Sequence, residues 1–324
     1  MSGILFDRLV VVVGGSGFVG RYLVQALAKA DARIRVVVRS PEKANYLMPL
    51  GKLGQIEIVR GDVTSAQSMA AAFAHADAGV NLAGILDERS GQKFAAVQAE
   101  GAGNVARAAA GANGGSGVRA FVQVSAIGAD AGSAAGYAKT KAAGEAAVMT
   151  ALPKATILRP SIVFGPEDAF INRFAALAKA APVVPIVAGD TRFQPVYVKD
   201  LADAIVAAIA DPGPYGGQVF ELGGPRVYHF RDIIAWIMAE IRVTKTAVEV
   251  PPAAAKLMGR AGDFLPFMPM TSGQWTMLQS DNVVQGPGFD AFGITPVPLE
   301  AVAPAYLERY RTAGRFHRDP ETAK

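Results

Sequence analysis

Tyr137 and Lys141 stand four residues apart in the segment YAKTK, inside a run whose alanine-rich composition predicts a helix over Tyr137–Thr150. On a helix that spacing puts both side chains on one face. The pairing has a chemical use. A free tyrosine titrates at about 10, too high for an acid–base group near neutrality, and an ammonium beside it favours phenolate and lowers that value. Ser125 closes the predicted strand Ala120–Ser125, twelve residues before the tyrosine, and a hydroxyl there can steady an oxygen that gains negative charge. Tyr-x-x-x-Lys alone is a cheap signal in a chain with 8 tyrosines. The same two side chains also serve to grip a bound ribose without turnover, or simply to pack, so three readings stand side by side.

A second group of residues says what would lie beside them. The stretch VVVVGGSGFVGRYL, residues 10–23, places Gly14, Gly17 and Gly20 between a predicted strand, Leu9–Val13, and a predicted helix, Gly20–Ala30. Gly14 permits a tight turn, Gly17 lets backbone approach a pyrophosphate, and Gly20 lets the helix pack closely on the sheet. The helix start then turns free N–H groups and partial positive charge toward the phosphates. Ser16, Phe18 and Val19 belong to the same loop and join the expected cofactor contacts. The next predicted strand, Ile34–Val38, decides which dinucleotide. An acid at its end would read a ribose 2′-hydroxyl, whereas arginine suits a 2′-phosphate. From Ala32 to Pro41 there is no acid; Arg39 and Ser40 stand at the strand end and Lys43 follows. The expectation is NADP(H) rather than NAD(H).

Composition narrows the remaining classes. The chain has 324 residues, 51% of them hydrophobic, enough for a large core. No run approaches the ~20 apolar residues of a membrane helix. The opening MSGILFDRL carries Asp7 and Arg8, unlike a signal peptide, and a cytoplasmic protein is expected. There is no cysteine, which removes disulfides, thiol catalysis and thiolate metal sites. His75, His229 and His317 are far apart and lack metal-ligand spacing, so no metal site is expected. A net charge of +4 without a basic, aromatic-interleaved stripe does not suggest nucleic acid.

The motifs need elements to hold them. Short apolar runs at Leu9–Val13, Ile34–Val38, Ile56–Val59, Gly79–Ala83, Ala120–Ser125 and Thr156–Leu158 alternate with helical stretches at Gly20–Ala30, Ser65–Ala74, Phe94–Ala110 and Tyr137–Thr150. That rhythm predicts an α/β protein with a doubly wound parallel sheet. It breaks after Leu158. The expected organisation is a nucleotide-binding domain over residues 1–165, to which 193–222 returns, and a smaller, mostly helical substrate- or partner-binding region over 166–192 and 223–324.

The chain resembles the extended and atypical short-chain dehydrogenases, epimerase-like proteins of the same fold. The resemblance is carried by Gly14-x-x-Gly17-x-x-Gly20, GDVTS, NLAG, VSAIGAD, YAKTK, RPSIVFGP and QPVYVKDLADAI. It implies that Asp62 and Val63 flank adenine, that Leu82, Ala83 and Gly84 lie along the cofactor, and that Pro160, Ile162 and Val163 lie beside the nicotinamide. It also implies Ser125, Tyr137 and Lys141 as a catalytic trio, the last two touching cofactor as well. LGQIEIVRGD, QPVYVKDLADAI, MPMTSGQWTMLQSDNVV and FGITPVPLE together resemble the branch holding the NADPH-carrying accessory subunit of respiratory complex I and its bacterial relatives. That branch implies an oxidoreductase linked to the respiratory chain or to quinone (ubiquinone) metabolism, acting on a small apolar substrate. It equally allows a non-catalytic NADPH-holding assembly subunit, or an NADPH-sensing regulator, peripheral on the inner face of the respiratory membrane. The loop ILDERSGQKF offers Asp87, Glu88 and Arg89 where such proteins touch substrate, and names no substrate. An apolar stretch over 253–279 holds Met258, Phe264, Leu265, Phe267, Met268, Met270, Trp275 and Met277, with Lys256 and Arg260. It reads as ordinary packing, as a lid, or as a docking surface for a membrane complex.

Arg39→Asp should weaken NADPH binding by about 1.5–3 kcal/mol, the usual size of a charge-assisted contact, and NADH binding less. Fluorescence titration with both nucleotides checks this; equal losses would show that Arg39 does not read the 2′-phosphate.

Overall fold

Strand β1 (Leu9–Val13) is buried at every residue, as its unbroken apolar sequence requires of a strand covered on both faces. In the computed structural model, which describes residues 3–88, 91–263 and 270–311, β1 pairs in parallel with β2 (Arg33–Val38) on one side and with β4 (Ala78–Asn81) on the other. β3 (Ile56–Arg60) lies beyond β2. Beyond β4 come β5 (Ala120–Val124), β6 (Thr156–Pro160) and β7 (Val219–Leu222). The sheet is therefore parallel throughout, in the order β7-β6-β5-β4-β1-β2-β3. The chain winds outward from β1 in one direction, then crosses back to start again at β4. Between the carboxyl ends of β1 and β4 the connections diverge, and a crevice opens there.

Five helices cover this sheet: α1 (Phe18–Lys29), α2 (Ala66–Ala72), α3 (Gly101–Gly111), α4 (Gly136–Ala151) and α5 (Val198–Ala210). α1 packs with α5, while α3 packs with both α2 and α4. Strand alternation divides the core between the two faces. Val11 and Val13 join Val37, Met69, Phe73 and Phe121 in one buried cluster, so Val10 and Val12 face the other way, fully buried as well. A wider, π-type turn over Ala95–Glu100 leads into α3.

The residues up to Pro160, with Val198–Leu222 and Val284–Thr295, form the first compact unit. The second comprises Ser161–Tyr197, Gly223–Val283 and the described residues from Pro296. Its core is aromatic: the rings of Phe170, Phe174, Phe193 and Phe230 contact one another at 5.1–6.0 Å between centroids. Helices Ile171–Ala180, Phe230–Glu240 and Leu299–Leu307 surround it. Buried Asp168 caps the first of these by accepting from the Ile171 N–H at 2.6 Å, and it also accepts from the Tyr306 hydroxyl at 2.9 Å.

Candidate functional site

The turn after β1 carries the first part of the site. Gly14 has φ +79°, a conformation that favours glycine, and its amide donates to Val37 O at 3.0 Å. Gly20 is fixed by contact instead. A Cβ there would stand 2.3 Å from the Gly15 carbonyl oxygen, so the first turn of α1 rests directly on the turn that precedes it. Gly17 differs from both. A Cβ on Gly17 would come no closer than 3.4 Å to any protein atom, so the protein's own packing does not demand glycine there. α1 starts at Gly17 with no side-chain cap and no acid in its first turn, which leaves its leading N–H groups for an anion.

A cleft of about 260 Å³ runs from this turn along the carboxyl ends of the strands. Of the residues expected to bind cofactor, Gly14, Ser16, Gly17, Arg39, Asp62 and Val63 line it, as do Leu82, Ala83 and Gly84. Arg39 is exposed at the end of β2 and has no ion-pair partner among the described residues. Asp62 holds its own loop, accepting from the Thr64 N–H at 2.9 Å and the Thr64 hydroxyl at 2.8 Å. Asn81, fully buried, accepts from the Ala83 N–H at 3.0 Å and donates to Gln123 Oε1 at 2.9 Å. This cross-strand pair fixes the end of β4 against β5. Phe18 and Val19 lie half-buried on the first turn of α1, Phe18 edge-on to Tyr22 at 5.9 Å. Ser40 accepts the Lys43 N–H in the turn after β2, and Lys43 is exposed.

The second part of the site lies where β4, β5 and α4 meet. Lys141 is 9% exposed, and its ammonium donates to Val124 O at 3.4 Å. A Cβ on Gly84 would stand 3.3 Å from the same nitrogen, so the charge lies against a residue that lines the cleft. Burial pulls Lys141 down to about 8, against an opposing pull from Glu145. The Lys141 nitrogen is 5.9 Å from the Tyr137 ring centroid, and Phe94 meets that ring edge-on at 5.9 Å. Ser125 is 5% exposed, and its hydroxyl has no hydrogen-bond partner among the described residues. A buried unpartnered hydroxyl is costly; Ser125, Tyr137 and Lys141 are not among the residues that line the cleft of about 260 Å³, which reaches Gly84 beside Lys141. The uncapped helix start and the cleft lined by Gly14, Ser16, Gly17 and Arg39 together fit a dinucleotide.

One expectation needs correction. The spacing of Tyr137 and Lys141 suggested that the lysine lowers the tyrosine. In the structure the ammonium stands 5.9 Å from the ring centroid, and burial pushes the Tyr137 phenol up to about 12. The phenol therefore keeps its proton at neutral pH as a weaker acid than free tyrosine, able to give it to a base as strong as a forming alkoxide.

Other expected residues have the following surroundings. Pro160 ends β6, and its carbonyl accepts from the Ile127 N–H at 3.1 Å. Ile162 and Val163 belong to the second unit, Ile162 against its aromatic core and Val163 paired with Val196. Glu88 accepts from the Phe94 N–H at 2.7 Å and pairs with Lys93 at 3.6 Å, so it holds its own loop. Arg89 lies outside the described residues, as do His317, Phe264, Leu265, Phe267 and Met268. Elsewhere in that apolar stretch, Met270 is buried against Val187 and Ala255, whereas Leu257 is 68% exposed between exposed Lys256 and Arg260. No helix among the described residues is long and apolar enough to cross a membrane.

Several participants carried no sequence signal. Tyr46 donates to Ser16 O at 2.7 Å, and the Arg21 guanidinium lies 5.1 Å from its ring; the pair clasps the glycine turn from outside. Gln98, 3% exposed, donates to Ile85 O at 2.9 Å. Both depend on contacts between segments remote in sequence.

Residues 10–223 match the NAD dependent epimerase/dehydratase family. The chain is 34% identical over 320 residues to the mitochondrial NADH dehydrogenase [ubiquinone] 1 alpha subcomplex subunit 9 of Arabidopsis thaliana, covering 94% of this chain and 78% of that one. It is 34% identical over 204 residues to a ceramide reductase of Caulobacter vibrioides, covering 63% and 62%. Among solved structures, DesIV (dTDP-glucose 4,6-dehydratase) of Streptomyces venezuelae, with NAD and TYD bound, superposes with a TM-score of 0.71 at 19% identity, covering 94% of this chain and 96% of that chain.

Gly17→Val should abolish nucleotide binding while leaving the melting temperature nearly unchanged, because only ligand space is filled; calorimetric titration beside thermal unfolding checks both halves. The Lys141 value gives a stability signature of its own. Its folded value of about 8 lies below the ordinary 10.5, so the folded state resists charging this group. The penalty is full below pH 8 and gone above pH 10.5. In urea titrations of ligand-free protein, this contribution to stability should rise across that window, and Lys141→Met should remove the rise.

Proposed function

The chain belongs to the NAD dependent epimerase/dehydratase family, and from that premise we propose that it binds NADP(H) in the cleft and reduces the carbonyl of an apolar substrate. The observation that carries this reading is the buried, unpartnered hydroxyl of Ser125, next in the chain to Val124, whose carbonyl takes the buried Lys141 ammonium. In this reading the glycine turn and the α1 start hold the pyrophosphate, Arg39 meets the 2′-phosphate, and Lys141 donates to ribose hydroxyls. When bound, the cofactor supplies a hydride. Ser125 donates to the substrate oxygen and orients it. Tyr137, kept protonated by burial, delivers its proton to that oxygen as the alcohol forms. An apolar substrate is supported by Phe94 on the Tyr137 ring, by Leu86, which is 67% exposed, and by the relative named as a ceramide reductase.

A second reading is supported by the longer match. The relative named as a subunit of NADH dehydrogenase is matched across 94% of this chain. In that reading the protein holds NADPH without turnover and docks peripherally on a membrane complex. Lys256, Leu257 and Arg260, exposed together on one helix, are the residues that reading would use.

Tyr137→Phe separates the two. A reductase should lose about 10²–10⁴-fold in turnover with NADPH affinity and melting temperature unchanged. A holding subunit should show no change in any assay. The measurement is NADPH oxidation with a panel of long-chain ketones and quinones, wild type beside variant; an inactive wild type that keeps NADPH beside every acceptor would sink the reductase reading on that panel.

A further inference from the structure

Lys141 and Glu145 are neighbours one turn apart on α4, and both are buried, at 9% and 7% exposure. Such a pair ordinarily meets in an ion pair. Here it does not. Glu145 turns to β6, where Arg159 grips both its oxygens, Nε to Oε1 at 2.9 Å and Nη2 to Oε2 at 2.6 Å. Arg159 is itself shared: its other nitrogen faces Glu221 on β7 at 3.8 Å, and Glu221 accepts from the Gln285 N–H at 2.8 Å. The β6–β7 register sets Arg159 opposite Glu221, so the guanidinium has little freedom to follow Glu145 if that carboxylate moved toward the lysine.

We propose that Arg159 is a positioning residue for Lys141: its two-point grip holds the Glu145 carboxylate off the ammonium, leaving the ammonium to Val124 O and to the ligand in the cleft. A two-point arginine–carboxylate contact is strong and directional, and few other arrangements would keep a buried carboxylate from an adjacent buried cation. The groups around the ammonium are consistent with this. Its own helix offers Tyr137 and Glu145, the loop after β4 offers Gly84, and β5 offers the Val124 carbonyl. Glu145 is thus the carboxylate whose position governs how readily Lys141 keeps its proton. Arg159 sets that position from a different strand. The inference rests on the reading of Lys141 as a cofactor contact only for its functional consequence, not for the geometry.

The test follows the protonation of Lys141 in ligand-free protein, by NMR titration of isotope-labelled lysine side chains, with the Lys141 resonance assigned by Lys141→Arg. Glu145→Gln removes the charge at constant shape and should lower the Lys141 midpoint by about one pH unit, the size of a nearby opposite charge. Arg159→Lys keeps a positive charge but loses the fork. Glu145 is then freed toward the ammonium, and the midpoint should rise by a similar amount; Arg159→Gln serves the same purpose if the lysine variant does not fold. Opposite shifts support the proposal. An unmoved midpoint in either variant, or shifts of the same sign, overturns it, because a purely structural ion pair would alter stability alone. The alkaline limb of NADPH affinity should then move with the midpoint in each variant. If Lys141 titrates as stated but NADPH does not bind, the functional reading fails and the positioning role stands.

Discussion

A positive charge is buried against Gly84, which lines the cleft, with no carboxylate in contact with it among the described residues. Burying an ammonium is costly; among the described residues Lys141 has a long bond to Val124 O, the Tyr137 ring at 5.9 Å and the field of Glu145. Much of the surrounding structure follows from keeping that charge available. Val124 O, which also accepts from Gln123 Nε2 at 3.1 Å, must sit at the end of β5. A side chain on Gly84 would crowd the ammonium at 3.3 Å, and α4 must present Tyr137 and Lys141 on one face. Glu145 must be occupied elsewhere, and Arg159 on β6 occupies it.

The parallel sheet supplies the place for this arrangement. All seven strands end on the same side, so their following loops gather there, and the reversal between β1 and β4 leaves room between them. Gly20 resting on Gly15 fixes the start of α1 at one edge of that room. The buried Asn81–Gln123 pair fixes the other edge. The anion-seeking helix start and the ammonium are thus held by separate, rigid contacts, one local in sequence and one between strands. A ligand spanning them meets a preformed surface, which lowers the ordering cost of binding.

The sheet was legible because each strand is a short, fully apolar run followed by a helical stretch, and burial on both faces leaves no other pattern for those residues. The glycine turn was legible for a local reason: strand, turn and helix are consecutive, so spacing alone places them. What spacing could not supply was anything set by distant segments. Tyr46 reaches back thirty residues to Ser16, and Arg159 meets Glu145 across fourteen. The titration of Tyr137 was misjudged for the same reason. Sequence shows the lysine four residues away, whereas the desolvation that raises the phenol comes from the packing around it. The loop carboxylate Glu88, by contrast, is engaged with its own segment, and a charge run read in isolation does not reveal such a partner.

Native mass spectrometry of the protein as purified, and after addition of NADPH or NADH, tests the central claim most directly: that this cleft is a preformed site for a phosphorylated dinucleotide. The account predicts one nucleotide per chain, NADPH displacing NADH when both are present. A chain that stays bare with either nucleotide in excess would contradict it.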